Sequence, residues 1–431
     1  MAFAVRHFVA AAALLAAAAY VSVYGRLDSL QQIRSDGYSY YVYLPSAFLY
    51  HDLTLEKLKD DWYGGLYPEF TGIRRWPVTG RLMNLHPIGT AVLIAPFFFI
   101  ADLLSRWSNL PRDGFSLYYQ HGAAIAGLVY FLLGLAIVRR MLQAQFSDGV
   151  VLATLICLTW GTNLFHYGVF DSVFSHAFAF FLVSLFVWQV EQWWDRPTLW
   201  RSLAIGAIAG LNFLVRHTNA IFVLVLPLYG IVHWRDVSTR LRDLSSRRRM
   251  LAAAAAAGLV VVLPQLALYK WITGRWFVSA YDTHDMGFDF GAPHLVAVLF
   301  STQKGLFFWS PILLLAVVGV FVARGRTRAL VVPAVVLFAL QTYLIASWAV
   351  WQFGASFGHR GFTDGFALAA PFIAATFEWV SWHRRVAPLA AVAATAVVLL
   401  SVAQMFQYWL GILPLADTTW AQYQELFLKF R

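Results

Sequence analysis

Asp36 stands in the stretch "IRSDGYSYYVYLP", followed at short intervals by Tyr38, Tyr40, Tyr41 and Tyr43. An acid where a membrane surface meets water can take a proton from an incoming hydroxyl, and a shelf of tyrosines can lie at the headgroup level or stack a sugar ring. The same residues also make ordinary local structure, because "SDG" is good capping chemistry in which Ser35 or Asp36 satisfies free backbone N–H groups. Farther along, Asp171 in "HYGVFDSVFSHAF" is flanked by His166 and His176, a grouping that suits a proton or metal site, or simply the cap of the next helix. Arg216 and His217 in "GLNFLVRHTNAIF" separate two short apolar runs. An arginine there either reaches for the interface or meets an anion such as phosphate. Lys304 in "STQKGLFFWSP", and His359 and Arg360 in "SFGHRGF", add cations beside glycines that allow close backbone approach. "YDTHDMGFD" gathers Asp282, His284, Asp285 and Asp289; carboxylates and imidazole at such spacing could hold Mg²⁺, Mn²⁺ or Zn²⁺, or form a solvated acidic loop. Asp60, Asp61 and Glu69 read as solvated loop surface, the first two balanced by Lys57 and Lys59.

The chain that must hold these groups is 431 residues long, 60% hydrophobic and 17% aromatic, with only 13% charged residues. That balance excludes an ordinary soluble domain and predicts an all-α, polytopic membrane protein built as a single domain over residues 1–431. The lone cysteine, Cys157, lies in an apolar run, so neither an internal disulfide nor a cysteine metal cluster can form. The formal charge of +10 sits in short clusters between apolar runs, where it acts as a topology signal rather than as a nucleic-acid surface.

The first apolar run, Phe8 to Tyr24, follows Arg6 and His7 and predicts a cytoplasmic amino terminus, although its alanine-rich end also fits a signal peptide. Later runs are Leu117 to Val138, Gly149 to Phe165, Asp171 to Val190, Ser202 to Val215, Thr218 to His233, Met250 to Trp271, Gly305 to Ala323, Ala329 to Ser347, Phe362 to Val380 and Val386 to Trp409. With these as spans, the basic clusters at Arg139 and Arg140, Arg196 and Arg201, Arg235 to Arg249, Arg324 to Arg328, and Arg384 and Arg385 all fall inside. Counting Asn84 to Leu104 as a further span would put "RRMLQ" and "RDVSTRLRDLSSRRR" outside, so that stretch is expected to be a juxtamembrane or re-entrant helix. About eleven crossings result, with a long first extracytoplasmic loop over 25–116 carrying juxtamembrane helices and a later one over 272–304. Nearly all the histidines and chemically useful acids lie on this outer side. The short, arginine-rich inner loops contain no glycine-rich phosphate loop.

An acid shortly after the first span, a long first outer loop with an apolar helix, and "RHTN" between two helices together resemble the GT-C superfold of integral-membrane glycosyltransferases, which use polyprenyl-phosphate-linked sugars. Protein O-mannosyltransferases and the lipid A aminoarabinose transferase are examples. "NLHPIGTAVLIAPFF" is similar to the family's "YPPG…LLAPF" or "KPP" segment, with His86 and Pro87 in that place. "KGLFFWSP" resembles "KGLF.YSP", and "WQFGASFGHRGFTDGFALAAPF" resembles "W.GG.SFGPR…PF". The resemblance implies a multi-pass protein of a bacterial cytoplasmic membrane that moves a monosaccharide from a polyprenyl-phosphate donor to a hydroxyl of a lipid, glycan or protein, with inversion. Under it Asp36 is the catalytic base; beside it, the residue types and their placement make Arg216, His217, Lys304, His359 and Arg360 the candidates for the donor phosphate, and Tyr40, Tyr41, His86 and Asp171 those for sugar or acceptor contacts. Asp282, His284 and Asp285 are the residues available for a divalent metal. The sequence departs from the family at Gly37, where the mannosyltransferases carry a second acid, and at His86, where the aminoarabinose transferase carries lysine. Two other classes stay open: a polymerase or ligase of lipid-linked glycans, disfavoured because the largest loop comes first, and a transporter, disfavoured because acids within apolar runs are scarce and Asp364 and Glu378 lie near the ends of theirs.

Overall fold

The computed structural model describes residues 1–25, 32–59, 72–278 and 286–430. Among these the chain is helical apart from one small hairpin, so the all-α expectation holds. Helix α1 (Ala2–Tyr24) leads to three short helices, α2 (Asp36–Tyr41), α3 (Tyr43–Phe48) and α4 (Glu56–Lys59). Strands β1 (Ile73–Arg75) and β2 (Leu82–Asn84) pair antiparallel, Ile73 opposite Asn84, before α5 (Gly89–Trp107) and α6 (Leu117–Gln143). Then come α7 (Asp148–Trp160), α8 (Leu164–Val169), α9 (Ser175–Asp195), α10 (Leu199–Val215), a 3₁₀ segment (His217–Leu224), α11 (Val225–Leu228), α12 (Asp236–Ser246) and α13 (Arg248–Thr273). The last part holds α14 (Leu295–Phe300), α15 (Leu306–Trp309), α16 (Leu314–Val322), α17 (Gly325–Ala329), α18 (Val331–Ala346), a 3₁₀ segment (Arg360–Gly365), α19 (Phe366–Ser381), α20 (Ala387–Trp409) and α21 (Trp420–Leu426).

Among the described residues five helices, α1, α5, α6, α13 and α20, are long and apolar enough to cross a membrane, which marks the chain as a multi-pass membrane protein. The expected eleven crossings are not matched by length, because several apolar runs are divided. The run after Arg216 opens as a 3₁₀ segment, and the one before α16 is interrupted at Pro311–Leu313. Small residues set the closest packing. Gly206 and Gly210, four apart on α10, lie against Ala254 and Gly258 of α13, where a Cβ on Gly206 would come within 1.9 Å of the Ala254 carbonyl oxygen.

The bundle has two chemically different ends. At one, Arg139 at the end of α6 donates to the Arg6 carbonyl, Thr327 of α17 donates to Gln145, Arg326 pairs with Asp195 at 3.2 Å, and Arg324 lies over Trp382. The basic clusters therefore converge. The other end is reached by the start of α6, where His121 meets Tyr20 near the end of α1, by the start of α9 and by the end of α10. Helix α5 stays at this second end. Its Gly89 abuts the backbone of Leu214 and Val215 at the end of α10, while Asp102 accepts from Tyr119, and Ser108 meets Tyr118, at the start of α6. Although long enough to cross, α5 both begins and finishes toward the same end, as a juxtamembrane or re-entrant helix would.

Candidate functional site

Asp36 opens α2, and Ser35 before it sits at φ +48°, a backbone conformation that costs a non-glycine residue energy. The capping role is not taken up: Ser35 makes no side-chain cap to α2, and the Asp36 carboxylate instead meets Arg360 at 2.8 Å. Arg360 begins a 3₁₀ segment after a turn through Gly358, whose φ of +59° suits glycine, so "GHRG" aims the guanidinium back across the bundle. Phe174 and Phe353 lie beneath that guanidinium at 5.4 and 5.6 Å. Burial is the strongest single influence on Asp36 and raises its pKa. Arg360, with His86, His176 and Arg216 behind it, outweighs burial and holds the carboxyl below the ordinary carboxylate value. The acid is ionised and about a quarter exposed, with 28% of its side chain open.

Beside this pair lies a second, more deeply buried one. Val215 ends α10, Arg216 is extended, and its side chain reaches Asp364, Nε to Oδ2 at 3.4 Å. His176, in the first turn of α9, places Nδ1 3.0 Å from Asp364 Oδ1 and 2.9 Å from Arg216 Nη1. That nitrogen serves one neighbour at a time: with a proton it donates to Asp364, and without one it accepts from Arg216. Asp364, 1% exposed, was weighed in the sequence only as a transport residue. The pairing with His176, 188 positions away, is invisible until the helices pack.

Asp171 forms a third group. It pairs with Arg34 at 2.9 Å and with His166 Nε2 at 2.9 Å, while Trp409 Nε1 donates to His166 Nδ1 at 2.8 Å. An indole N–H only donates, so His166 Nδ1 is the acceptor and the ring proton faces Asp171. The capping role proposed for Asp171 is not realised, since the residue before α9 is Phe174. Arg34, two residues from Asp36, is a site residue that the sequence reading did not single out.

The remaining expected residues divide. Tyr40 accepts a hydrogen bond from Ser175, and its ring lies 4.1 Å from that of His86. Ser39 gives its one hydroxyl proton to the Asp36 carbonyl, so His86 carries a proton on Nδ1 toward Ser39 Oγ, 2.7 Å away. Tyr40 and His86 therefore border Asp36. Tyr41 does not: its hydroxyl donates to the Gly114 carbonyl and its ring packs on Phe98 and Phe115. His217 turns away from Arg216 onto Phe213 and Tyr269. Lys304 is 2% exposed and donates to the carbonyls of Ser356 and Leu415, tying the chain after α20 to the turn that carries Arg360. Burial, then Arg360, pushes its ammonium down to about 7. His359 is buried against Phe353 and Phe362, and neither ring nitrogen has a hydrogen-bond partner among the described residues. Asp282, His284 and Asp285, like Asp60, Asp61 and Glu69, lie outside the described residues. Within the described residues no three His, Cys, Asp or Glu side chains converge as metal ligands.

An apolar cavity of about 270 Å³ opens between α16, α18 and α19, lined by Phe307, Val317, Phe338, Phe362 and Phe366 among others. A smaller pocket of about 50 Å³ is bordered by Arg216, Asn219, Trp348 and Phe353, and Gln341 lines both. The apolar cavity thus reaches the neighbourhood of the Arg216–Asp364 pair. No protein family, curated protein or solved structure matches this chain.

Proposed function

We propose that this protein is a glycosyltransferase that takes a monosaccharide from a polyprenyl-phosphate donor and passes it to a hydroxyl of a lipid, glycan or protein acceptor, with Asp36 as base. The observation that carries this reading is the Asp36–Arg360 pair at 2.8 Å, with Arg216 nearby bordering a small pocket that shares Gln341 with the apolar cavity. A lipid-borne phosphate needs cations next to an apolar channel, and an inverting transfer needs an ionised carboxylate close by. The gathering of basic clusters at the opposite end supports, through the charge rule for membrane topology, a reading in which Asp36 faces the extracytoplasmic side of the cytoplasmic membrane.

In this mechanism the acceptor O–H gives its proton to Asp36 as the oxygen bonds to the anomeric carbon. The bond from that carbon to the phosphate oxygen breaks on the opposite face, and polyprenyl phosphate leaves with one more negative charge. Arg360 and Arg216 stabilise that developing charge. Arg360 is paired with Asp36, so a donor phosphate would compete with the carboxylate for the guanidinium. Tyr40 and His86 border the sugar. Asp282, His284 and Asp285 are the side chains from which a divalent metal would be bound.

The test is release of polyprenyl phosphate from a panel of polyprenyl-phosphate sugars by the purified wild type and by Asp36→Asn, with and without chelator and with acceptor hydroxyls supplied. Release by wild type alone is the expected result. Equal release by both proteins removes Asp36 from the role, and a diphosphate product redirects the reading to a polymerase or ligase of lipid-linked glycans.

A further inference from the structure

Helix α12 (Asp236–Ser246) stands apart from the rest of the basic end. None of its side chains is buried, although it follows one apolar segment and runs directly into α13. One edge is fastened. Arg240 lies 3.6 Å over the Trp194 ring, and Arg247, just beyond the helix, lies over Trp193 and Trp194. The Asp236 carboxylate accepts from the backbone N–H groups of Val232 and His233, which fixes the start of the helix.

The adjoining edge is apolar and open. Val237, Leu241 and Leu244 follow one another at four and three residues, so they share a face, and Trp234 precedes them. Trp234 is 80% and Leu241 62% exposed. Arg242 lies a quarter turn away from Leu241, Arg235 directly precedes the helix, and Arg249 stands in the first turn of α13. Residues 235–249 carry six arginines against Asp236 and Asp243, a local excess of four positive charges.

We infer that α12 lies in the plane of the membrane surface, with Trp234, Val237 and Leu241 among the acyl chains and Arg235, Arg242 and Arg249 holding the phosphates of anionic phospholipids. Three observations select lipid as the occupant. The apolar segments before and after α12 fix it at the rim of the bundle. Its open apolar edge is narrow and bordered by arginine, the pattern of an interfacial helix. Its exposed tryptophan sits where the aromatic belt of a membrane protein lies. The charge excess then selects anionic over zwitterionic headgroups, because each basic residue near such a surface adds to the attraction.

Two measurements on the full chain in lipid nanodiscs test this. In the first, Leu241→Cys and Thr239→Cys, each in a Cys157→Ala background, carry a nitroxide whose exposure to oxygen and to a water-soluble nickel chelate gives its depth. The label at 241 should read as membrane-embedded and that at 239 as aqueous. Water exposure at both positions would overturn the proposal and assign the apolar edge to another partner. In the second, spin-labelled phosphatidylglycerol and phosphatidylcholine compete for the protein surface. The wild type should prefer phosphatidylglycerol, the preference should fall about three- to tenfold in Arg235→Gln/Arg242→Gln, and it should weaken as salt is raised. No preference, or one unchanged by the double substitution, would overturn the assignment of those arginines. Neither readout depends on glycosyl transfer.

Discussion

The two ends of this molecule use charge in opposite ways. At the basic end, Arg326 and Asp195 meet at 3.2 Å with 47% and 45% of their side chains open to solvent, Arg240 and Arg324 lie over tryptophans, and Arg139 donates to a backbone carbonyl. At the site end, Asp36, Arg360, Asp364, Arg216, His176, Asp171 and Arg34 are drawn inside the fold in opposite-charge groups. An exposed pair is screened and contributes about 0–1 kcal/mol. A buried one must offset the cost of leaving water, so removing one partner strands the other. The basic end shows charge that orients a chain in a membrane. The site end shows charge held against its own desolvation, which is how chemical groups are kept ready.

The sharpest break in this contrast is Asp36→Asn. The amide keeps an acceptor oxygen for Arg360, so the fold should persist, while donor turnover should fall by about two to four orders of magnitude. Phosphate release and a thermal melt on the same preparation check both halves. Next comes Asp364→Asn, which leaves Arg216 and His176 without their carboxylate and should destabilise the protein by about 3 kcal/mol, seen as a lowered melting transition in detergent.

Arg360→Gln sharpens the comparison through pH. In the wild type Asp36 is held below its ordinary value of 3.8, so its contribution to stability is present above that pH and is lost as pH falls through the lower folded value. Without Arg360, burial, already the strongest single influence, loses its main counterweight and raises the pKa. The acid limb of the turnover profile should therefore move to higher pH by about one unit, and an unmoved limb would separate Arg360 from Asp36. A smaller, local effect is expected from Lys304→Met. Losing its bonds to Ser356 and Leu415 should speed amide exchange at Ser356, whose N–H also donates to Leu415, with little change elsewhere. The smallest belongs to the basic end: Arg326→Gln should change stability by no more than about 0.5 kcal/mol and leave turnover alone.

Much of the charge gathered at the candidate site was legible because charge is rare in an apolar chain. Asp36, Asp171, Arg216, Lys304 and Arg360 stand out against it, and each has a buried partner or contact. Their partners were not legible. Arg34 looks like any juxtamembrane arginine, and Asp364 was passed over because its neighbours in sequence, Thr363 and Gly365, say nothing of His176 and Arg216. Tyr41 and His217 were misplaced for a related reason. Both sit beside a site residue in sequence, and helical geometry turns each to another face, toward Phe98 and Gly114 or toward Phe213 and Tyr269.

Composition and charge along the chain were enough to read a helical membrane protein whose arginine clusters share one end. These follow from hydropathy and charge, which act residue by residue along the chain and can be read in order. Only the tertiary structure decided that Arg360 holds Asp36, that His176 stands between Asp364 and Arg216, and that Lys304 ties down the chain after α20. Ion pairing inside a low-dielectric fold depends on distances of about 3 Å between side chains. Residues up to 324 positions apart meet at such distances once the helices pack, and nothing in their order along the chain specifies which will do so.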